Sequence, residues 1–201
     1  MVVYFAAQSL STKKRKQMKR IFILLLLLPG VALLHAQDRE PQASPASSVS
    51  CEVGLTGIKL DYFRPKMKGR KIFGEGSGFL VPYGKIWRTG ANGGTKVTFS
   101  DDVKVEGNAV PKGEYLIFTW PGANEWTVTL YKDTSIGGYT DRYDKANEVA
   151  NFKVKPQKLT EVVETFTAGI SDISEDATNA NIKLAWENTA VKMNVVVPKT
   201  W

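Results

Sequence analysis

The chain has 201 residues, a length typical of one domain, with 27 basic and 20 acidic side chains. Six of the basic ones (Lys13, Lys14, Arg15, Lys16, Lys19 and Arg20) lie within residues 1–36, which hold no acid, leaving 21 basic and 20 acidic residues from position 37 on. So balanced a body offers no electrostatic footprint for nucleic acid or an anionic membrane, and a lone cysteine, Cys51, excludes a disulfide within the chain.

Met18-Lys19-Arg20, the apolar run Ile21–Leu34 and the small Ala36 read as a secretory signal peptide over residues 1–36, with Met18 as the true start. The run falls short of the roughly 20 residues needed to cross a bilayer, so no transmembrane span is expected after cleavage. The chain is therefore expected to be exported, to the periplasm or beyond the cell. His35, the one histidine, leaves with the leader. A histidine-free chain has no Ser-His-Asp triad, Cys-His pair or histidine-held metal, and no cofactor is expected.

Residues 37–50 (QDREPQASPASSVS) are polar and Ser/Ala/Pro-rich, which predicts a flexible linker ahead of a domain over 51–201. Ile58, Leu60 and Tyr62 alternate with Lys59 and Asp61, the period-two pattern of a half-buried strand. Residues 66–79 are basic and glycine-rich and predict a long loop or irregular edge. Lys96–Phe99 and Val103–Val105 are further strands, with turns at Ser100-Asp101-Asp102 and Glu106-Gly107-Asn108. The clearest hairpin joins 114–120 (EYLIFTW) to 126–131 (WTVTLY) around a loop of five residues. A polar stretch, Asp133–Asn147, follows, with room for one helical turn within 138–149. Strands resume near 148–155 and 160–170. A last hairpin is predicted from Ile182, Leu184 and Trp186, a turn at Glu187-Asn188-Thr189, and Val191, Met193 and Val195. About eight to ten short strands without helical periodicity predict an all-β fold, a single β-sandwich or jelly-roll-like domain.

Several segments are distinctive: Tyr62–Pro65, Gly69–Gly74, Leu80–Gly84, Trp87–Asn92, Pro111–Tyr115, Asn124–Val128 and Leu184–Asn188. On these the chain resembles the exported bacterial family catalogued as domain of unknown function 2911. The resemblance implies a secreted, largely β protein and supplies no activity or substrate. The family usually carries a Trp-Gly pair after the second hairpin strand, where this chain has Ile136-Gly137.

Tyr83–Asn92 is the best functional candidate. Tyr83 and Trp87 offer flat apolar faces, Arg88 a planar fork of donors, Asn92 a bidentate amide and Thr89 a hydroxyl, a set suited to a sugar ring or a carboxylate. Arg64, Arg70 and Lys71 would extend a positive cleft beside Arg88. The competing reading makes Trp87 a core residue, pairs Arg88 with a carboxylate such as Asp61 or Glu114, and leaves the other three as a solvated basic loop. Asp133, Ser135, Gly138, Asp141 and Asp144 fall in a calcium-loop register, but Gly137 at the fifth position and the lack of flanking helices leave no metal site expected. Gly74–Gly78 lacks the following helix that a phosphate-binding loop needs. Of the five tryptophans, Trp126 and Trp186 fit the core, and Trp120 and Trp201 are expected exposed. Together these predict a non-catalytic binding or accessory module of the cell envelope, its partner a small molecule, a glycan, a peptide or an envelope protein. The alternatives are a histidine-free glycosidase or lyase drawing on Asp61, Glu75, Glu114 and Tyr83, and a structural subunit of an envelope complex.

Overall fold

The computed structural model describes residues 40–199 of the chain. The expected signal peptide, the first residues of the expected linker, and Trp201 lie outside the described residues. Period-two patterning builds a six-stranded antiparallel sheet from β1 (Ala46–Val53), β2 (Thr56–Phe63), β5 (Thr95–Phe99), β8 (Gly113–Trp120), β9 (Trp126–Tyr131) and β10 (Glu148–Val154), in that spatial order. A second sheet holds β11 (Gln157–Ser171), β12 (Asn179–Val196), β6 (Val103–Val105) and β7 (Asn108–Val110), again in spatial order. A parallel pair, β3 (Phe73–Gly74) and β4 (Val81–Pro82), brings the strands among the described residues to twelve. The sheets face each other as a β-sandwich, approaching along one side where β1 and β2 meet β11 and along the other where β10 meets β7. Among the described residues no helix is long and apolar enough to cross a membrane.

Ile58, Leu60, Val97, Phe99, Ile117, Val128 and Leu130 on one sheet, and Phe166, Ile182, Leu184, Trp186 and Met193 on the other, are all buried between the layers. The β8–β9 hairpin is covered on both faces, which explains its almost continuous apolar run. Its outward residues Leu116, Phe118 and Tyr131 form a smaller cluster with Ile136. The cover is the polar stretch, which makes three short 3-10 turns (Thr134–Ile136, Thr140–Arg142 and Lys145–Asn147) where one helical turn was expected. Tyr143 stacks on Tyr131 at 5.0 Å and donates to Glu148 Oε1 at 2.6 Å. Burial, reinforced by Glu148, pushes the Tyr143 phenol far above its ordinary range, so it stays protonated and able to donate.

Two expectations need correction. Residues 46–50, placed in the linker, belong to β1, which pairs with β2 from Ala46↔Phe63 to Val53↔Thr56. Only Val53 of β1 is buried, so a backbone ladder rather than apolar patterning defines this edge strand. The last hairpin does not exist, because β12 runs unbroken through Glu187-Asn188-Thr189. The buried positions switch there from even (Ala180, Ile182, Leu184, Trp186) to odd (Val191, Met193, Val195). A turn reverses a strand, but a bulge within a continuous ladder changes the parity equally well: Glu187 has φ +54°, and the β11–β12 register shifts on both sides of it, with the extra residues on β11.

That parity switch makes the length of β12 around Glu187 critical. Deleting Asn188 should turn Val191, Met193 and Val195 toward solvent and abolish cooperative urea unfolding, whereas Asn188→Ala should unfold in one transition within about 1 kcal/mol of the parent. A deletion variant that melts cooperatively would show that the bulge does not set the phase of β12.

Candidate functional site

The segment after β4 is a succession of tight turns, with positive φ at Gly84, Thr89, Gly90, Asn92 and Gly94. It splits the predicted site into three parts. Trp87 turns inward, 8% exposed, stacks on Trp186 at 5.8 Å and donates its indole N–H to the Gly90 carbonyl at 3.2 Å. Phe73, Trp126 and Phe166 meet it edge-on. Thr89 is fully buried, its hydroxyl 3.1 Å from that of Thr119. Both are scaffold, as the competing reading held for Trp87.

Arg88 and Asn92 clamp neighbouring chain. Arg88 Nη1 donates to the Asn92 carbonyl at 3.2 Å rather than to Asp61 or Glu114, while Asn92 Nδ2 donates to Gln42 Oε1 and to the Ser44 carbonyl, both at 3.3 Å. The Arg88 stem packs on Gly138, where a Cβ would fall 2.8 Å from the Asn92 carbonyl oxygen and 2.9 Å from Arg88 Cδ. Gly138 is therefore the residue that lets the polar cover seat against this loop.

The basic side chains are not gathered into one cleft. Arg70 caps its own turn through the Met67 and Lys66 carbonyls at 2.9 and 2.7 Å. Lys71 lies over the Phe79 ring, 5.9 Å from its centre. Arg64 has its Nε buried without a hydrogen-bond partner, and its backbone N–H donates to the Pro45 carbonyl at 2.9 Å. In the polar cover, Asp133 and Asp144 each cap a separate 3-10 turn.

Four recesses stand out among the described residues; one, about 410 Å³, lies on β1, β2 and β5 beside Cys51, Lys59 and Thr98. The largest, about 590 Å³, lies on the outer face of the six-stranded sheet between Ser48, Asp61 and Lys96 and the rim formed by Gly93, Gly94, Thr134 and Gly137. Its charges are already satisfied: Asp61 pairs with Lys59 at 2.9 Å and Lys96 with Glu114 at 3.1 Å. Burial works to raise the Asp61 carboxyl, but hydrogen bonds from Lys59 and Ser48 and the charges of Lys59 and Lys96 outweigh it and hold the group below its ordinary range.

The second recess, about 290 Å³, opens at the end of the sandwich. Edges of Phe73 and Trp126 and the half-buried Tyr83 form its apolar side, and Gln157, Lys158, Glu187, Asn188 and Thr189 its polar side. Glu187 stands at the bulge with φ +54° and its carboxylate accepts the backbone N–H groups of Ile72 at 3.2 Å and Phe73 at 3.5 Å. Gln157 and Lys158 are exposed and Asn188 is half-buried, and none of the three side chains is hydrogen-bonded to another described residue. The third recess, about 470 Å³, flanks the β8–β9 turn on its other side and holds Trp120, Thr127, Lys145, Glu148 and Asn151.

The family model described as protein of unknown function (DUF2911) matches residues 44–195. The chain belongs to this family. No curated protein and no solved structure matches the chain. The match begins within two residues of β1, which agrees with the corrected start of the domain. Four of the family-like segments, separated by tens to a hundred residues, converge on the end recess through Phe73, Tyr83, Trp126 and the Glu187-Asn188 pair. Of the predicted site residues, only Tyr83 lies there. Ile136 is buried against the outer face of the hairpin, so this side chain is a packing residue.

Two measurements check these assignments. Gly138→Ala should cost about 1–3 kcal/mol in urea unfolding, because the added methyl meets backbone. Since Asp61 is depressed in the folded state, its contribution is full above its unfolded value of about 3.9 and is lost as pH falls through the folded value. The acid limb of melting temperature against pH should thus be shallower for Asp61→Asn; superimposable limbs would remove Asp61 as a contributor.

Proposed function

We propose that the chain is an exported, non-catalytic binding module of the cell envelope that holds a carbohydrate in the end recess. The observation that carries this reading is the convergence there of an aromatic side with several polar side chains left without partners inside the protein. Amides, a carboxylate and an ammonium satisfy the vicinal hydroxyls of a sugar, and an aromatic ring covers its C–H face. The sheet-face recess is larger but carries less of the argument, because a ligand there would have to break ion pairs already made.

Catalysis by a carboxylate pair has little support. Asp61 on β2 and Glu114 on β8 are separated by β5, which puts their strands about 10 Å apart. A general acid also needs a carboxyl held above its ordinary range, opposite to the direction for Asp61. Glu75 is exposed in the loop after β3 and lines none of the four recesses.

Thermal shift with neutral saccharides, cell-wall fragments and short peptides tests the reading. A saccharide at about a hundred times its dissociation constant should stabilise the protein by about 2.7 kcal/mol, several degrees of melting temperature. Asn188→Ala and Lys158→Ala should abolish the shift while melting like the parent. A shift with peptides alone would replace the ligand class, and a saccharide shift untouched by both substitutions would move the site elsewhere.

A further inference from the structure

The end recess and the recess holding Trp120 lie on either side of the same β-turn, and both are lined by Gly122. Tyr83 lines the first and its neighbour Gly84 the second. The divide between them is thus built at Gly84 and Gly122, two residues with no side chain to raise it. Backbone geometry keeps it low. The Gly84 N–H donates to the Pro121 carbonyl at 2.8 Å, locking the two turns together. A Cβ at Gly122 would fall 2.5 Å from the Glu125 carbonyl oxygen, and Gly84 has φ +74°. Neither position accepts a larger residue without strain.

Each side of the divide has its own aromatic platform. Tyr83 and the edge of Trp126 serve the end recess. On the other side Trp120 is half-buried, with Tyr143 edge-on at 5.4 Å, and Thr127, Glu148 and Asn151 surround it. Asn151 spends its two amide hydrogens on Thr129 at 3.0 Å and Glu148 at 3.1 Å, which leaves its carbonyl oxygen to accept. Volumes of about 290 and 470 Å³ suit a short run of sugar rings better than one ring.

Building on the carbohydrate reading, we propose that the two recesses are adjoining subsites of one groove, and that the ligand class is a neutral linear oligosaccharide threaded across the Gly84–Gly122 divide. The Tyr83 side holds one end of the bound stretch, and Trp120 stacks against a ring further along.

The test is calorimetric titration of the full chain with glucose-, xylose- and N-acetylglucosamine-based oligosaccharides of graded length, from one unit to about six. Affinity for the preferred series should rise about tenfold or more once the chain is long enough to reach Trp120, an increment of the size one aromatic stacking contact supplies. Trp120→Ala should remove the increment and leave the affinity for the shortest binder unchanged. Asn188→Ala should weaken short and long oligomers alike. Trp120→Phe keeps a smaller platform and should restore part of the increment, which a variant that merely misfolds would not do. Affinity independent of length, or long-oligomer binding indifferent to Trp120→Ala, overturns the two-subsite groove while leaving a single-ring site in the end recess. Absence of binding by every series overturns both the groove and the carbohydrate reading.

Discussion

The end of the sandwich depends on a change of phase within β12, opposite a stretch of β11 that carries unpaired extra residues. A strand that is buried on one face must keep its apolar side chains in phase, and β12 changes phase at Glu187. The bulge that absorbs the change places Glu187 in the left-handed region, an uncommon conformation for a side chain with a Cβ. From there its carboxylate takes the N–H groups of Ile72 and Phe73, which begin the β3–β4 unit. That unit carries Phe73 into the aromatic core and leads on to Tyr83 and Trp87. A packing requirement in one sheet thereby fixes the loop that forms one wall of the end recess.

Much of the fold was legible because it is local. The alternation at Ile58–Tyr62, the strands at 95–99 and 103–105, and the β8–β9 hairpin all follow from patterns a few residues long. The short strands β3, β4 and β7 were not, and neither were β1 and the continuity of β12. β1 is held by hydrogen bonds to β2, and Ser47, Val49 and Cys51 are too weak an apolar stripe to announce a strand. In β12 the parity change is visible, but a turn and a bulge leave the same trace in sequence. Only the pairing with β11, which is nonlocal, distinguishes them.

The site was legible in composition and not in assembly. Tyr83 to Asn92 does hold several chemically capable residues in a row. Successive turns nevertheless send Trp87 and Thr89 inward, hold Arg88 and Asn92 against the N-terminal segment and the polar cover, and leave Tyr83 alone at a recess. Lys158, Glu187 and Asn188 join Tyr83 from β11 and β12, some seventy to a hundred positions later. No spacing rule connects residues so far apart. The one available signal was that Glu187-Asn188 and Tyr83 both fall in family-like segments, which does not say that they meet.

The aromatic core also gives the molecule its optical character. Trp87 lies 5.8 Å from Trp186 and 6.3 Å from Trp126, close enough for these three buried indoles to exchange excitation energy. Trp120 sits apart from them, in the outer cluster and open on one side. A dissolved quencher would therefore leave the emission of these three indoles untouched and reach that of Trp120, the residue beside the third recess.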